Sequence, residues 1–548
     1  MAAITINKAE FFNIFGKKLT DEQLEEKLNM LGLSVEEIKP HELVLDVLAN
    51  RPDLLSQYGI ARALSAFLGL KKGIKNYAVN KSNYVVNVER ATNDWPYCVT
   101  AVVKGLKFDD EKIKEIIQLQ EKIGATLLRN RKKGGLGIYP LDKIKFPIKY
   151  TSDLPKKIKF RPLEYPAAIS GDDILQKHQT GREYSHIVKG WKKFPIFIDA
   201  ENTVMSMPPI INSNDVGKIS EETIDVFIEA TGTDFNVIST ALNIFVTTLA
   251  DMGGKVYSTK LVYGKKIFNT PDLASKKFKL DVNYLNKTLG VDLKLSDVKN
   301  LLLRMGYDFE KDFVLVPAYR ADILHQTDLV EDVAIAYGYN NLKEEIPKVA
   351  TIAEESRFEI FKKKIANILI GLGLLEVHTY NLTSKDNQVK RMHADLKCVE
   401  LANALNEDHN VLRSWVTPSM LQILKANKHH EYPQNLFGFG NVFKYDAGKE
   451  SGVSEATRLC VSICHSSANF TDVKQVLDVL TKALDIKYEI KEVEHGSFIP
   501  GRVGRVSVNN TDVAYMGEIH PLVLSEFELE MPVAVLELNL SDLFRLIT

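Results

Sequence analysis

Four carboxylates crowd the stretch 316–341, VPAYRADILHQTDLVEDVAIAYGYNN. Asp328, Glu331 and Asp332 are spaced i, i+3 and i+4, which puts them on one face of a first helical turn, and a turn ahead of them can fold Asp322 back toward the same place. Converging carboxylates repel one another. A cation would relieve that repulsion, and an all-oxygen set with no cysteine at hand suits a hard ion, Mg2+ rather than Zn2+. The same residues have a simpler use: Asp328 is a good helix N-cap, Glu331 stands at its capping-box position, and acids in a first turn gain about 0.3–1 kcal/mol each from the helix dipole. Spacing leaves capping and metal binding both open, although one helix start needs fewer acids than this.

A second group lies in VMSMPPIINS at 204–213, with EATGTD at 229–234 downstream. Pro208 and Pro209 exclude helix and stiffen the backbone beside Asn212 and Ser213, whose polar groups are then held in place. A turn with an Asx or Ser cap accounts for the same residues. No histidine, cysteine or metal-ligand set in the neighbouring sequence offers a nucleophile. The basic run Arg129 to Lys133 ahead of Gly134 and Gly135 reads as a solvated loop or as cations that follow a phosphate backbone. Cys460 and Cys464 sit in an alternating run with spacing unlike a zinc pair, and read as core thiols. His520 beside Pro521 reads as a turn residue, not a general base.

The elements that must position these groups fall into four segments. Residues 1–75 form an α/β module, with capping-box spacing at Asn7-x-x-Glu10 and Thr20-x-x-Gln23, a stop at Gly32, and a turn NRPDLLS at 50–56 in which Asp53 or Ser56 caps the next helix. Residues 80–265 alternate strands with helices, one of them over about 111–128. Residues 268–345 follow a break at Pro271 and carry helical periods over 282–289 and 295–305, then the carboxylate cluster. Residues 350–548 open on an amphipathic helix over 358–372 and a strand over 376–382, then run through strands to the end.

With 548 residues, 45% hydrophobic and 26% charged, the chain is expected to be a soluble α+β protein of several domains. Its net charge of −1 excludes a global positive field for wrapping nucleic acid, though not a local basic patch. Four scattered cysteines suit a reducing cytoplasm. The amino-terminal residues lack a basic-then-apolar leader, and no run of about 18 apolar residues occurs, so a cytoplasmic location is expected.

The run Arg320-x-Asp322-Ile-Leu-His325-x-x-Asp328-Leu-Val-Glu331-Asp332, followed by Tyr337-Gly338-Tyr339, resembles the signature of the phenylalanyl-tRNA synthetase β-subunit family in its archaeal and eukaryotic cytosolic form. NRPDLLS at 50–56 resembles the first module of that family. The 204–213 and 229–234 segments and GIYPLDKI at 137–144 resemble its editing module, with Pro140 standing where the family has an acidic residue. The resemblance implies a Mg2+ ion bound by Asp322, Asp328, Glu331 and Asp332 and shared with an α subunit. It further implies an (αβ)2 assembly that uses ATP and acts on phenylalanine tRNA; the 268–345 segment shows no strong basic helix face, so no DNA partner is expected, and without a long apolar run no membrane partner is expected. It implies that residues 80–265 hydrolyse tyrosine misattached to that tRNA, with Asn212, Ser213, Thr233 and Asp234 lining the site. The 268–345 segment is implied to be a small helical module.

Residues 350–548 resemble a class II synthetase-like domain built on an antiparallel sheet. Adenylate chemistry needs an arginine and a carboxylate on such a strand, and Leu436 to Asn441 has neither, with Gly438 where the family has glutamate. This segment is therefore expected to buttress a catalytic partner. Two rivals stand beside this reading: a stand-alone aminoacyl-tRNA deacylase and a noncatalytic RNA-binding scaffold.

Overall fold

The computed structural model describes residues 2–89, 92–346 and 353–548, in two compact units, Met1–Ile346 and Pro347–Thr548. In the first unit, the strands Ala2–Asn7, Glu42–Val47 and Ser34–Ile38 make an antiparallel sheet with Glu42–Val47 at its centre. The alternation of Leu43, Leu45 and Val47 sends one face inward. Asn7 caps the helix Lys8–Phe15, and Thr20 with Gln23 forms the capping box of Asp21–Met30, as their spacing predicts. Ser56 caps Gln57–Phe67. Asp53 does not cap: Arg51 holds it with two hydrogen bonds, Nε to Oδ1 at 2.9 Å and Nη2 to Oδ2 at 2.8 Å.

The large sheet of this unit has eleven strands. One end of it runs Lys255–Tyr263, Tyr97–Lys104, Val226–Gly232 and Gly134–Pro140 in that order, with Gly134–Pro140 at the edge. The helix Phe235–Asp251 is buried from Ala241 through Leu249, which fits a sequence apolar on nearly every side there. The segment expected to be helical carries a sheet as well. Lys276–Lys279, Phe313–Val316 and Asp308–Glu310 pair antiparallel beside the helices Val282–Leu289, Leu295–Arg304 and Gln326–Tyr337. Val314 and Val316 alternate inward on the strand Phe313–Val316, the period of two that their β-branched run ahead of the carboxylates predicts.

A buried polar joint ties the first of these modules to the last. Arg320 repeats the geometry of Arg51 on its own neighbour, with Nε to Asp322 Oδ1 at 2.8 Å and Nη2 to Asp322 Oδ2 at 2.6 Å. Its Nη2 also donates to Asp332 at 2.7 Å, and Tyr307 donates to the same carboxylate. Burial works against the charge of Arg320, but Asp332, Tyr307 and Asp322 outweigh it and hold the guanidinium well above its ordinary pKa. Arg320 and Asp322 both act on the charge of Arg51 as well.

In the second unit a seven-stranded sheet runs Leu375–Glu376, Gln434–Tyr445, Val453–Cys464, Val533–Asn539, Thr511–Ile519, Phe498–Val508, Glu489–Glu492, antiparallel except for its first pair. Cys460 and Cys464 are buried in it. Buried Glu537 accepts from the backbone of Val416 and Thr417 and from Arg458 Nη1 at 2.8 Å, so one carboxylate from the sheet caps the helix Thr417–Ala426. The strand expected over 376–382 is broken. Thr379 and Asn381 turn their side chains to Arg413, which bonds them at 2.5 and 2.9 Å and bonds the carbonyl of Asn441 at 2.7 Å. An arginine therefore does reach the strand of Gly438 and Gly440, from outside it. A Cβ on Gly440 would lie 2.2 Å from Arg413 Nη2.

Replacing Arg320 with Met leaves Asp332 buried without its cation, and the first unit should lose about 3–5 kcal/mol, read as a fall in the urea midpoint. A loss below about 1 kcal/mol would show that the joint carries little. Burial opposes the charge of Asp53, but Arg51 outweighs it and holds the carboxyl below its usual range. Its contribution is therefore present above an unfolded pKa of about 3.9 and lost as pH falls below that, and Asp53→Asn should weaken this acid sensitivity.

Candidate functional site

A cavity of about 370 Å3 opens against the large sheet of the first unit. Glu229 and Thr231 line it together with Pro208 to Asn212, and Gly135, Arg131, His178, Glu121 and Glu164 are among the other lining residues. Strand register explains why there is room. Glu229 faces Gly137 and Thr231 faces Gly135 across the ladder. A Cβ on Gly137 would sit 2.6 Å from Glu229 Oε1 and 2.7 Å from Tyr139 Oη, so a side chain there would fill the space that the polar groups occupy.

Glu229 is buried, and that burial, only partly offset by Tyr139, pushes its carboxyl up to about 8. It is thus protonated at neutral pH and can donate as well as accept. Tyr139 Oη lies 3.2 Å from Glu229 Oε1 and 3.1 Å from Asn212 Oδ1. With a single hydroxyl hydrogen, Tyr139 can donate to Asn212 while accepting from the acid. Glu229 Oε2 and Thr231 Oγ1 have no partner among the described residues. Leaving such groups unpaired costs about 1–3 kcal/mol each, so the cavity favours a ligand that bonds them.

Of the residues expected to line this site, the fold brings in Asn212 and separates the others. Ser213 is buried beside the cavity, where its Oγ accepts from the amide of Asp215 at 3.3 Å. Thr233 is exposed, and Asp234 caps the helix Phe235–Asp251 through the amides of Asn236 and Val237. Both lie beyond the end of the strand that supplies Glu229 and Thr231. A signal for the latter pair was available: in VFIEATG they stand i, i+2 on one face of an otherwise apolar strand. Tyr139 stands in GIYPLDKI, which the resemblance ties to this module, whereas His178 carries no signal, because only the folded chain brings it here.

The basic run is not wholly solvated. Arg129, Asn130 and Arg131 are all left-handed, with φ of 51°, 51° and 62°. That turn sends Arg131 inward, where its Nη1 donates to the carbonyls of Pro209 at 3.3 Å and Ile210 at 2.9 Å and its guanidinium stacks 4.2 Å over Tyr184. Arg129 and Lys132 stay exposed beside the cavity wall.

The acidic cluster differs from its expected convergence. The helix begins at Gln326 with His325 as N-cap, and Asp328 takes the N3 role, its Oδ2 accepting from the amides of Leu324 and His325 at 2.8 Å each. Asp322 and Asp332 are bound by Arg320, and Glu331 accepts from Tyr339 Oη at 2.8 Å. Among the described residues no three His, Cys, Asp or Glu side chains are gathered to hold a metal ion. What fits Mg2+ is narrower: the second oxygens of Asp328 and Glu331, one turn apart and outside the arginine's reach. Two carboxylates suffice for an ion that keeps several waters.

Comparison with known proteins places the chain in a family. Three family models match: the Phe-tRNA synthetase beta subunit B1 domain over residues 1–70, the tRNA synthetase B5 domain over 278–339 and the phenylalanyl tRNA synthetase beta chain CLM domain over 342–540. The phenylalanine–tRNA ligase beta subunit of Thermococcus onnurineus is 40% identical across 100% of this chain and 99% of its own. The chain belongs to the phenylalanine–tRNA ligase beta-subunit family. The beta subunit of Pyrococcus horikoshii is 39% identical, with both chains covered in full. A solved N-terminal fragment of the phenylalanyl-tRNA synthetase beta-subunit of P. horikoshii, 38% identical, covers 61% of this chain and 99% of its own with a TM-score of 0.59. The cavity falls between the first two family-model matches. Among the described residues no helix is long and apolar enough to cross a membrane.

The raised carboxyl of Glu229 has a consequence for stability. A folded value near 8 above an unfolded one near 4.3 contributes stability that is complete below about pH 4 and lost as pH rises through about 8. Glu229→Gln should therefore be more stable than the parent at pH 9 by on the order of a few kcal/mol, with no such gain at pH 4. Urea midpoints at the two pH values measure it, and equal shifts at both would show that folding leaves the titration of Glu229 unchanged.

Proposed function

We propose that this chain is the β subunit of a phenylalanine–tRNA ligase in which an α subunit joins phenylalanine to its tRNA using ATP. In this reading the β chain hydrolyses tyrosine attached to that tRNA by mistake. Family membership supports the ligase half. The observation that carries the hydrolytic half is the cavity, where a protonated Glu229 and Thr231 offer buried polar atoms without partners.

Tyrosine exceeds phenylalanine by one hydroxyl, and an apolar synthetic pocket rejects an added hydroxyl only about 10²-fold. A second site lined by unpaired polar atoms discriminates in the opposite sense. The phenol of tyrosine satisfies Glu229 and Thr231; the ring of phenylalanine leaves both bare. Asn212 holds Tyr139 in place for this reading, while Ser213, Thr233 and Asp234 shape the backbone around it. Exposed Arg129 and Lys132 supply charge for tRNA phosphate beside the entrance.

The partner reading, an (αβ)2 heterotetramer, draws support from apolar side chains left exposed on the second unit, Ile360, Ile370, Leu372, Leu375 and Tyr380. Mg2+ would be held by Asp328 and Glu331, with Asp322 and Asp332 behind them on Arg320, and would supply fixed positive charge to which an α-subunit acid can bind. ATP and phenylalanine bind mainly to the α subunit.

Thr231→Val and Glu229→Ala in the assembled complex should let Tyr-tRNA accumulate while Phe-tRNA forms at the parent rate. Deacylation of preformed Tyr-tRNA measures this, and a parent rate in both variants would remove the cavity from the reaction. Asp328→Asn with Glu331→Gln should weaken Mg2+ retention and association with the α subunit. Unchanged metal content and an unchanged gel-filtration profile would refute that assignment.

A further inference from the structure

One cavity residue is not used by the recognition of a phenol. His178 joins the short helices Gly171–Lys177 and Gln179–Tyr184, and its place is fixed on three sides. Its amide donates to Ile174 O at 3.1 Å, and its carbonyl accepts from Arg182 at 2.9 Å. The two helices cross so closely that a Cβ on Gly181 would fall 1.9 Å from Ile174 O. The ring packs on Tyr165 with centroids 5.9 Å apart, and the residue is only 9% exposed.

Its hydrogen bonding defines the tautomer. Nε2 lies 3.0 Å from the carbonyl oxygen of Leu163, which can only accept, so Nε2 carries the hydrogen. Nδ1 is then a lone-pair acceptor, buried and without a partner among the described residues, on a residue that lines the cavity. A ring nitrogen of fixed orientation, left unpaired on a residue lining a polar cavity, has the hydrogen-bonding capacity a general base uses. Glu229 does not compete for that role at neutral pH, because its carboxyl already holds a proton.

We propose that His178 is the catalytic base of this cavity, its Nδ1 taking the proton of the water that attacks an aminoacyl ester. This rests on the hydrolytic reading above. As the water oxygen bonds to the ester carbonyl carbon, one water proton passes to Nδ1. The tetrahedral intermediate then breaks its bond to the ribose oxygen, which leaves with the proton returned from Nδ1. The products are the free amino acid and the uncharged tRNA 3′ end, and the imidazole is neutral again.

Glutamine is the informative replacement: its amide N–H2 can keep the bond to Leu163 O, but it has no basic nitrogen. In the assembled complex, His178→Gln should lower the rate of Tyr-tRNA hydrolysis by roughly 10² or more. KM for Tyr-tRNA, the rate of Phe-tRNA synthesis and the melting temperature should stay near the parent values. In His178→Ala, added imidazole should restore part of the rate. A His178→Gln rate within about threefold of the parent overturns the inference while leaving the hydrolytic reading intact. So does a loss that appears only in KM or in melting temperature, since either means that His178 only shapes the wall. Failure of the unaltered complex to hydrolyse Tyr-tRNA removes both.

Discussion

Two arginines of like charge, Arg51 and Arg320, share one buried region of the first unit, and each is held by the aspartate two residues after it. Buried charge is tolerated only when paired and hydrogen-bonded, and here the pairing is local to each turn while the mutual influence spans the unit. Asp332 and Tyr307 complete the arrangement on the side of the third module. This is why NRPD and YRAD read as turns in the sequence yet serve as the joint between modules. It is also why Asp322 and Asp332 face a guanidinium before they can face a metal.

The second unit uses the same economy with different residues. Glu537 takes two backbone amides, a threonine hydroxyl and Arg458, fixing the helix Thr417–Ala426 to the sheet. Arg413 reaches the bare backbone at Gly440 and bonds only neutral oxygens. Its pKa is lowered, by burial first, and the coulombic pull of Glu537 does not reverse that. An arginine on the strand face is therefore present but spent on holding the segment around Thr379 and Asn381. That differs from an arginine poised for phosphate.

Local chemistry was the legible part of the sequence. Caps at Asn7, Thr20 and Ser56, stops at glycine and the buried cysteines of Val453–Cys464 follow from short-range rules and stand as read. Long-range pairing was not legible. Asp328 looked like an N-cap because nothing local showed that His325 would take that place. Thr233 and Asp234 are expected in the site because the 229–234 segment resembles the editing module, but the strand ends at Gly232 and the chain turns into a helix there. Glu229 stands out as an acid in an apolar strand, but only the register opposite Gly137 shows that it has space beside it. His178 could not be found at all without the packing of two short helices.

The joint around Arg320 also bears on how the chain is made. Arg51, Asp53 and Arg62 leave the ribosome early, but Arg320 and Asp322, which also act on this pair in the finished unit, are translated only after the whole large sheet. The amino-terminal module can form its own strands and helices at once, yet its buried turn keeps an unfinished electrostatic environment until the third module arrives. Nascent folding of this unit therefore closes backward, with the last-made module sealing the first.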